Sequence, residues 1–221
     1  LYADNKAQLD TVFSENTFTS TVGIVIDYGV IISTSVIASF VHGIINSHFS
    51  LLPQWRGADP ITFSLLSGQA QTGVSLMVIN QGLDTGDIIA EAPVAIAADD
   101  TNQTLTHKLV DTSNSLINAI LPDYVAGNIV AMPQPSSPIT YSRKLTKADS
   151  QLDFNKPAAV LEREIRAFSE WPKSRTKLGQ LDVIITGATV LPRKNESGAV
   201  TITSDKQLHI GTKVGTLAVT E

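Results

Sequence analysis

Apolar and polar positions along the chain fall into two regimes that meet near residue 131. In the first, short apolar runs alternate with helical periods. Residues 22–26 (Val-Gly-Ile-Val-Ile) and 43–49 are too short for buried helices and read as strands, the first of them fully buried as in a parallel sheet. Residues 73–79 read as another strand, and 87–96 as one more, placed at a sheet edge by Pro93. The helical periods lie between them. Residues 4–16 put Ala7, Leu9, Val12 and Phe13 on one face, and Ile61, Leu65 and Leu66 recur after Pro60, a favourable first-turn residue. Thr101-Asn102-Gln103-Thr104 opens a long amphipathic helix carrying Leu105, Leu109, Leu116, Ile117, Ile120 and Leu121. This alternation predicts an α/β domain with an open, mostly parallel sheet over residues 1–131.

A buried strand at 22–26 needs neighbours on both sides, and the residues before it hold no βαβ unit to supply one. The expectation is an N-terminally incomplete fold whose first βαβ units are absent. Residues 132–140, beginning Met-Pro-Gln-Pro-Ser-Ser-Pro, read as a linker. In the second regime a helix over 157–168 carries Val160, Leu161 and Ile165 and stops at Trp171-Pro172. Short strands then alternate with turns at 181–186, 189–191, 198–203, 207–211 and 216–219, which predicts a small OB-like β-barrel over 141–221, stopping before its expected last elements.

Charge sharpens the division. Residues 1–140 hold three Lys/Arg (Lys6, Arg56, Lys108) against twelve Asp/Glu, a balance of −9. Residues 141–221 hold thirteen against nine, a balance of +4. The second part is therefore the one suited to an anion such as nucleic acid, although a solvated surface with a modest excess of cations has the same composition. With no cysteine there are no disulfides or thiolate metal sites, and no apolar run reaches the roughly 20 residues of a membrane span.

Chemistry concentrates in the 43–57 stretch, Gly-Ile-Ile-Asn-Ser-His-Phe-Ser-Leu-Leu-Pro-Gln-Trp-Arg-Gly. Asn46 and His48 are two residues apart on a strand, so both side chains share a face near its C-terminal end, where open α/β sheets place ligands. The glycine-flanked turn Gly82-Leu83-Asp84-Thr85-Gly86-Asp87 offers carboxylates to such a site. Each residue also has an ordinary reading. A lone histidine is commonly a core residue satisfied by backbone; Asp84 before Thr-Gly caps its own turn well; Asp87 reads as a cap or supporting group; Arg56 reads as an exposed loop cation. If the three side chains do converge, Asn46 and a protonated His48 are donors to a developing oxyanion, and Asp84 keeps the imidazole charged.

The order Asn-x-His-x-Ser-Leu-Leu-Pro followed by Leu-Asp-Thr-Gly-Asp resembles the folate-dependent formyltransferase superfamily, and the Ile-Arg-Ala-Phe…Trp-Pro stretch at 165–172 is similar to the start of the C-terminal domain in its tRNA-formylating members. The resemblance implies a Rossmann-like catalytic domain and a cytoplasmic enzyme that transfers formyl from 10-formyltetrahydrofolate to an amine. That amine is the amino group of initiator methionyl-tRNA, or alternatively that of a nucleotide-linked amino sugar. A fragment keeping folate or tRNA contacts without turnover is the non-catalytic alternative. It further implies Asn46, His48 and Asp84 as the catalytic residues. Donor contacts fall to Tyr28, Gly29, Val30 and Ile31, to Ser50, Leu51, Leu52 and Pro53, and to Ile79, Gly82 and Leu83, with no metal. Ser47 and Phe49 depart from the implied pattern, standing where an apolar residue and a glycine are expected, as does Asp27, where a small residue is usual.

Overall fold

The computed structural model describes residues 2–193 and 195–221, which divide into two compact units. The first comprises residues 1–60, 71–95 and 108–143, and the second 61–70, 96–107 and 144–221.

In the first unit, helix α1 (Lys6–Glu15) starts at Asn5, whose side chain accepts the Gln8 N–H. Strand β1 (Gly23–Ile26) follows, then helix α2 (Thr34–Ala38), capped by Ser33, and strand β2 (Ile44–His48). The two-residue strand β3 (Arg56–Gly57) precedes helix α3 (Pro60–Ser67), which beyond Pro60 is counted in the second unit. Strands β4 (Gln71–Val78) and β5 (Ile88–Ala95) complete a four-stranded mixed sheet of order β1-β2-β4-β5. β1 and β2 are parallel, with Val25 opposite Asn46, while β2–β4 and β4–β5 are antiparallel. Helix α4 (Asn102–Val125) begins where Thr101 and Thr104 exchange side-chain-to-backbone hydrogen bonds. It covers one face of the sheet. There Ser47 of β2 meets Ser113 of α4, hydroxyl to hydroxyl at 2.7 Å, with both side chains buried.

β1 differs from the buried strand expected at 22–26. Among the described residues it has a strand partner on one side only, and Ile24 and Ile26 remain 44% and 47% exposed. A strand is buried by its neighbours rather than by its own composition. Beside it, Phe13 of α1 stacks on Phe18 and meets Phe40 edge-on, closing part of an apolar cleft of about 320 Å³ that also touches Val36 and Tyr28.

Strand β6 (Tyr141–Ser142) pairs in parallel with β3. In the second unit a 3₁₀ turn at Lys147–Ser150 precedes helix α5 (Ala158–Ala167). Its buried residues Ala158, Leu161 and Ile165 follow helical spacing and form a core with Ile185, Ile210 and Leu217. The strands beyond it are β7 (Ser174–Leu178), β8 (Leu181–Ile185), β9 (Ala188–Leu191), β10 (Val200–Ile202), β11 (Leu208–Gly211) and β12 (Thr216–Val219). They form an antiparallel β7–β8 hairpin and an antiparallel sheet of order β10-β11-β12-β9. The sequence pattern missed β7, whose Ser-Arg-Thr-Lys-Leu carries little apolar signal. Among the described residues no helix is long and apolar enough to cross a membrane.

Candidate active site

Alternation along β2 settles what faces what. Ser47 turns into the α4 interface, so Asn46 and His48 lie on the opposite face. His48 is 6% exposed, and its Nε2–H donates to the Trp55 carbonyl at 2.9 Å. That bond fixes the neutral tautomer and leaves Nδ1 as a bare acceptor, 3.9 Å from Asp84 Oδ2. The ordinary reading of His48, a ring satisfied by backbone, thus accounts for one nitrogen and leaves the other facing a carboxylate. Asn46 is half-buried, and among the described residues its amide has no side-chain hydrogen bond.

The protonation state differs from the imidazolium expected from a neighbouring carboxylate. Burial pushes the His48 pKa down, and this outweighs the attraction of Asp84 and the hydrogen bond to Trp55, both of which push it up. The ring is therefore neutral at pH 7.

Asp84 does not cap its own turn. Asn80 does so instead, its Oδ1 accepting the Gly82 N–H and the Thr85 hydroxyl, both at 2.9 Å. The Asp84 carboxylate is left to reach across, and its Oδ2 accepts the Gly57 N–H at 2.7 Å. Two sterically demanding backbones support this. Asp84 sits at φ 49°, in the left-handed region that aspartate tolerates, and Trp55 at φ 55°, where a bulky residue is strained. Trp55 is held there by its N–H on the Thr140 hydroxyl, 2.8 Å away, as well as by His48. Gly57 at φ 112° has no room for a side chain, since a Cβ would lie 2.2 Å from the Ser142 carbonyl oxygen.

Arg56 is not the exposed cation its loop position predicts. It is 8% exposed, and its guanidinium donates to Gln134 Oε1 at 2.6 Å from one terminal nitrogen and 3.3 Å from Nε. Gln134 in turn donates to the carbonyls of Asp84 and Gly86 at 2.8 and 2.9 Å. Sequence reasoning left Gln134 out of the site. Its one signal was an amide among prolines and serines, and nothing local shows that the segment folds back.

Asp87 is exposed, and its carbonyl accepts the Val78 N–H. The residues expected to contact a donor divide in two. Tyr28, Gly29 and Ile31 are exposed after β1, with Val30 half-buried. Gly82 and Leu83 are exposed after β4, with Ile79 half-buried. The two segments are neighbours, bridged at 3.4 Å by Gln81 Nε2 and the Thr34 hydroxyl. Ser50, Leu52 and Pro53 are buried instead and hold the loop after β2. The Ser50 hydroxyl donates to the Gln54 carbonyl, the Leu52 N–H goes to the Ser75 hydroxyl, and Leu51 packs over Gly73. Of these donor residues only Tyr28 lines the 320 Å³ cleft, which includes neither Asn46 nor His48. Among the described residues no cluster of three or more histidine or acidic side chains is placed to hold a metal ion.

Residues 4–121 match the family described as formyl transferase, and residues 144–221 match the formyl transferase C-terminal domain. The methionyl-tRNA formyltransferase of Halorhodospira halophila is 39% identical over 199 residues, covering 89% of this chain and 64% of that protein. The methionyl-tRNA formyltransferase of Myxococcus xanthus is 42% identical over 156 residues, covering 71% and 50%. The chain thus spans between half and two thirds of the length of these curated relatives. Among solved structures, an N-formyltransferase from Helicobacter canadensis, in complex with folinic acid and dTDP-3-aminofucose, superposes with a TM-score of 0.68 over 86% of this chain and 71% of that one. At 18% identity this is a likeness of fold.

Proposed function

The chain belongs to the formyl transferase family, and from that premise we propose that it transfers a formyl group from 10-formyltetrahydrofolate to the amino group of initiator methionyl-tRNA, in the cytoplasm. The observation that carries the reading is the arrangement on the open face of β2. A neutral imidazole presents its Nδ1 lone pair beside the Asp84 carboxylate, on the same face as an amide donor that no side-chain hydrogen bond among the described residues engages.

That donor set fits acyl transfer between nitrogens. Nδ1 of His48 takes the proton that the acceptor amine loses as the new N–C bond forms. The imidazolium so created is stabilised by Asp84 and by the Trp55 carbonyl, and it returns the proton to N10 of the donor as the old C–N bond breaks. The Asn46 amide donates to the formyl oxygen while that oxygen is anionic, a contribution typically worth about 3–4 kcal/mol. The neighbouring exposed groups of Tyr28 and Ile31, and of Leu83, give a flat pterin ring apolar surface. The +4 balance of residues 141–221 suits phosphate neutralisation.

The test is formylation of charged initiator tRNA by the unmodified chain and by His48→Ala. Loss of a general base costs about 10²–10⁴ in kcat. Equal rates in the two proteins overturn the role of His48, and no turnover by the unmodified chain overturns the catalytic half of the proposal. Binding is read separately: tRNA affinity that falls steeply with salt supports the acceptor, whereas capture of a nucleotide-linked amino sugar without tRNA reassigns it.

A further inference from the structure

We propose that Gln134, held by Arg56, is the positioning residue for Asp84, fixing the turn from which that carboxylate reaches Gly57 and His48. This rests on the reading of Asp84 as part of the catalytic centre. Composition marks residues 132–140 as linker, yet the segment is tied down at both ends against the site. Met132 and Ile88 exchange backbone hydrogen bonds at 2.7 and 2.8 Å, and the Thr140 carbonyl accepts the Arg56 N–H at 3.0 Å. Between these ties the Gln134 amide is fully committed. Both of its donors go to turn carbonyls, and its oxygen takes the Arg56 guanidinium.

The turn needs such a hold. Asp84 is in the left-handed region, and its carboxylate is directed away from the turn, so its own side chain contributes nothing to closing it. Asn80 secures the first half of the turn, and Gln134 secures the second at the carbonyls of Asp84 and Gly86. Gly86 runs so close to β4 that a Cβ would fall 1.7 Å from the Val78 carbonyl oxygen, so the turn has one tight path. Only a primary amide can serve here. Two carbonyls demand two N–H groups from one side chain, and a cation demands an acceptor on the same group. Glutamate keeps the shape and the partner cation but has no hydrogen to give either carbonyl.

The experiment compares Gln134→Glu, Gln134→Met and Asp84→Asn with the unmodified chain by amide and histidine-ring NMR. The expected result is that Gln134→Glu accelerates hydrogen exchange at the Gly57 amide roughly tenfold. It also moves the His48 ring titration in the direction that Asp84→Asn moves it. Signals from residues 113–121 of α4, in the same unit as Gln134 but away from the Asp84 turn, stay in place, which separates the effect from loss of that unit's fold. Gln134→Met, apolar and of similar length, gives the same two changes if the glutamate variant does not fold. Native Gly57 exchange and native His48 titration in a folded variant overturn the proposal. Because neither readout needs turnover, failure here is distinct from failure of the formyl-transfer reading: displaced Gly57 and His48 signals with an unaltered formylation rate support positioning and overturn the catalytic role of Asp84.

Discussion

At the residue scale, His48 decides how the site works. A carboxylate 3.9 Å away favours the charged ring, but burial acts on the same ring and wins. The pH dependence follows in sign. As the pH falls below about 6.5, the unfolded chain takes up a proton that the folded site resists. Stability is therefore full above that value and declines as the pH drops towards the lowered folded-state pKa. Denaturant midpoints measured at pH 7.5 and 5.5 should show a loss in the unmodified chain that His48→Gln largely removes; equal losses in both would place the cause elsewhere. The residue types and the spacing of Asn46 and His48 were legible in the sequence. The charge on the ring was not, because solvent exclusion is a property of surrounding segments.

Ser47 shows the element scale. It stands where an apolar residue is expected in a strand covered by a helix, and the fold satisfies it with Ser113, sixty-six residues away on α4. Ser47→Ala leaves one buried hydroxyl without that partner and should cost about 1–3 kcal/mol of stability. Removing both hydroxyls should recover most of the loss, and a double-mutant cycle in denaturant measures this. Elements with a strong period were readable to within a residue or two: the helical period over 4–16 became Lys6–Glu15, and 157–168 became Ala158–Ala167. β7 and the 132–140 segment were not, because one has a polar sequence and the other takes its path from hydrogen bonds to the Asp84 turn and to Arg56.

For the whole molecule, the structure divides into two units whose bounds differ from the sequence division, since residues 61–70 and 96–107 fall in the second unit and 132–143 in the first. The second core depends on α5 laying Ala158, Leu161 and Ile165 against the sheet strands. Leu161→Ala should destabilise that unit by about 2–5 kcal/mol. Trp171 reports on it by fluorescence when Trp55, which lies in the first unit, is replaced by Phe. An unchanged midpoint would mean that the cluster is not the core of that unit.

By itself the sequence determined the strands and helices with a strong apolar period, the shared face of Asn46 and His48, and the family, because alternation and local motifs are written in neighbouring residues. Only the tertiary structure decided that the imidazole is neutral, that Asn80 frees Asp84 to reach Gly57, and that Arg56 and Gln134 are built into the site. Each of those depends on which distant segments exclude water or supply a donor, and no window of sequence contains that information.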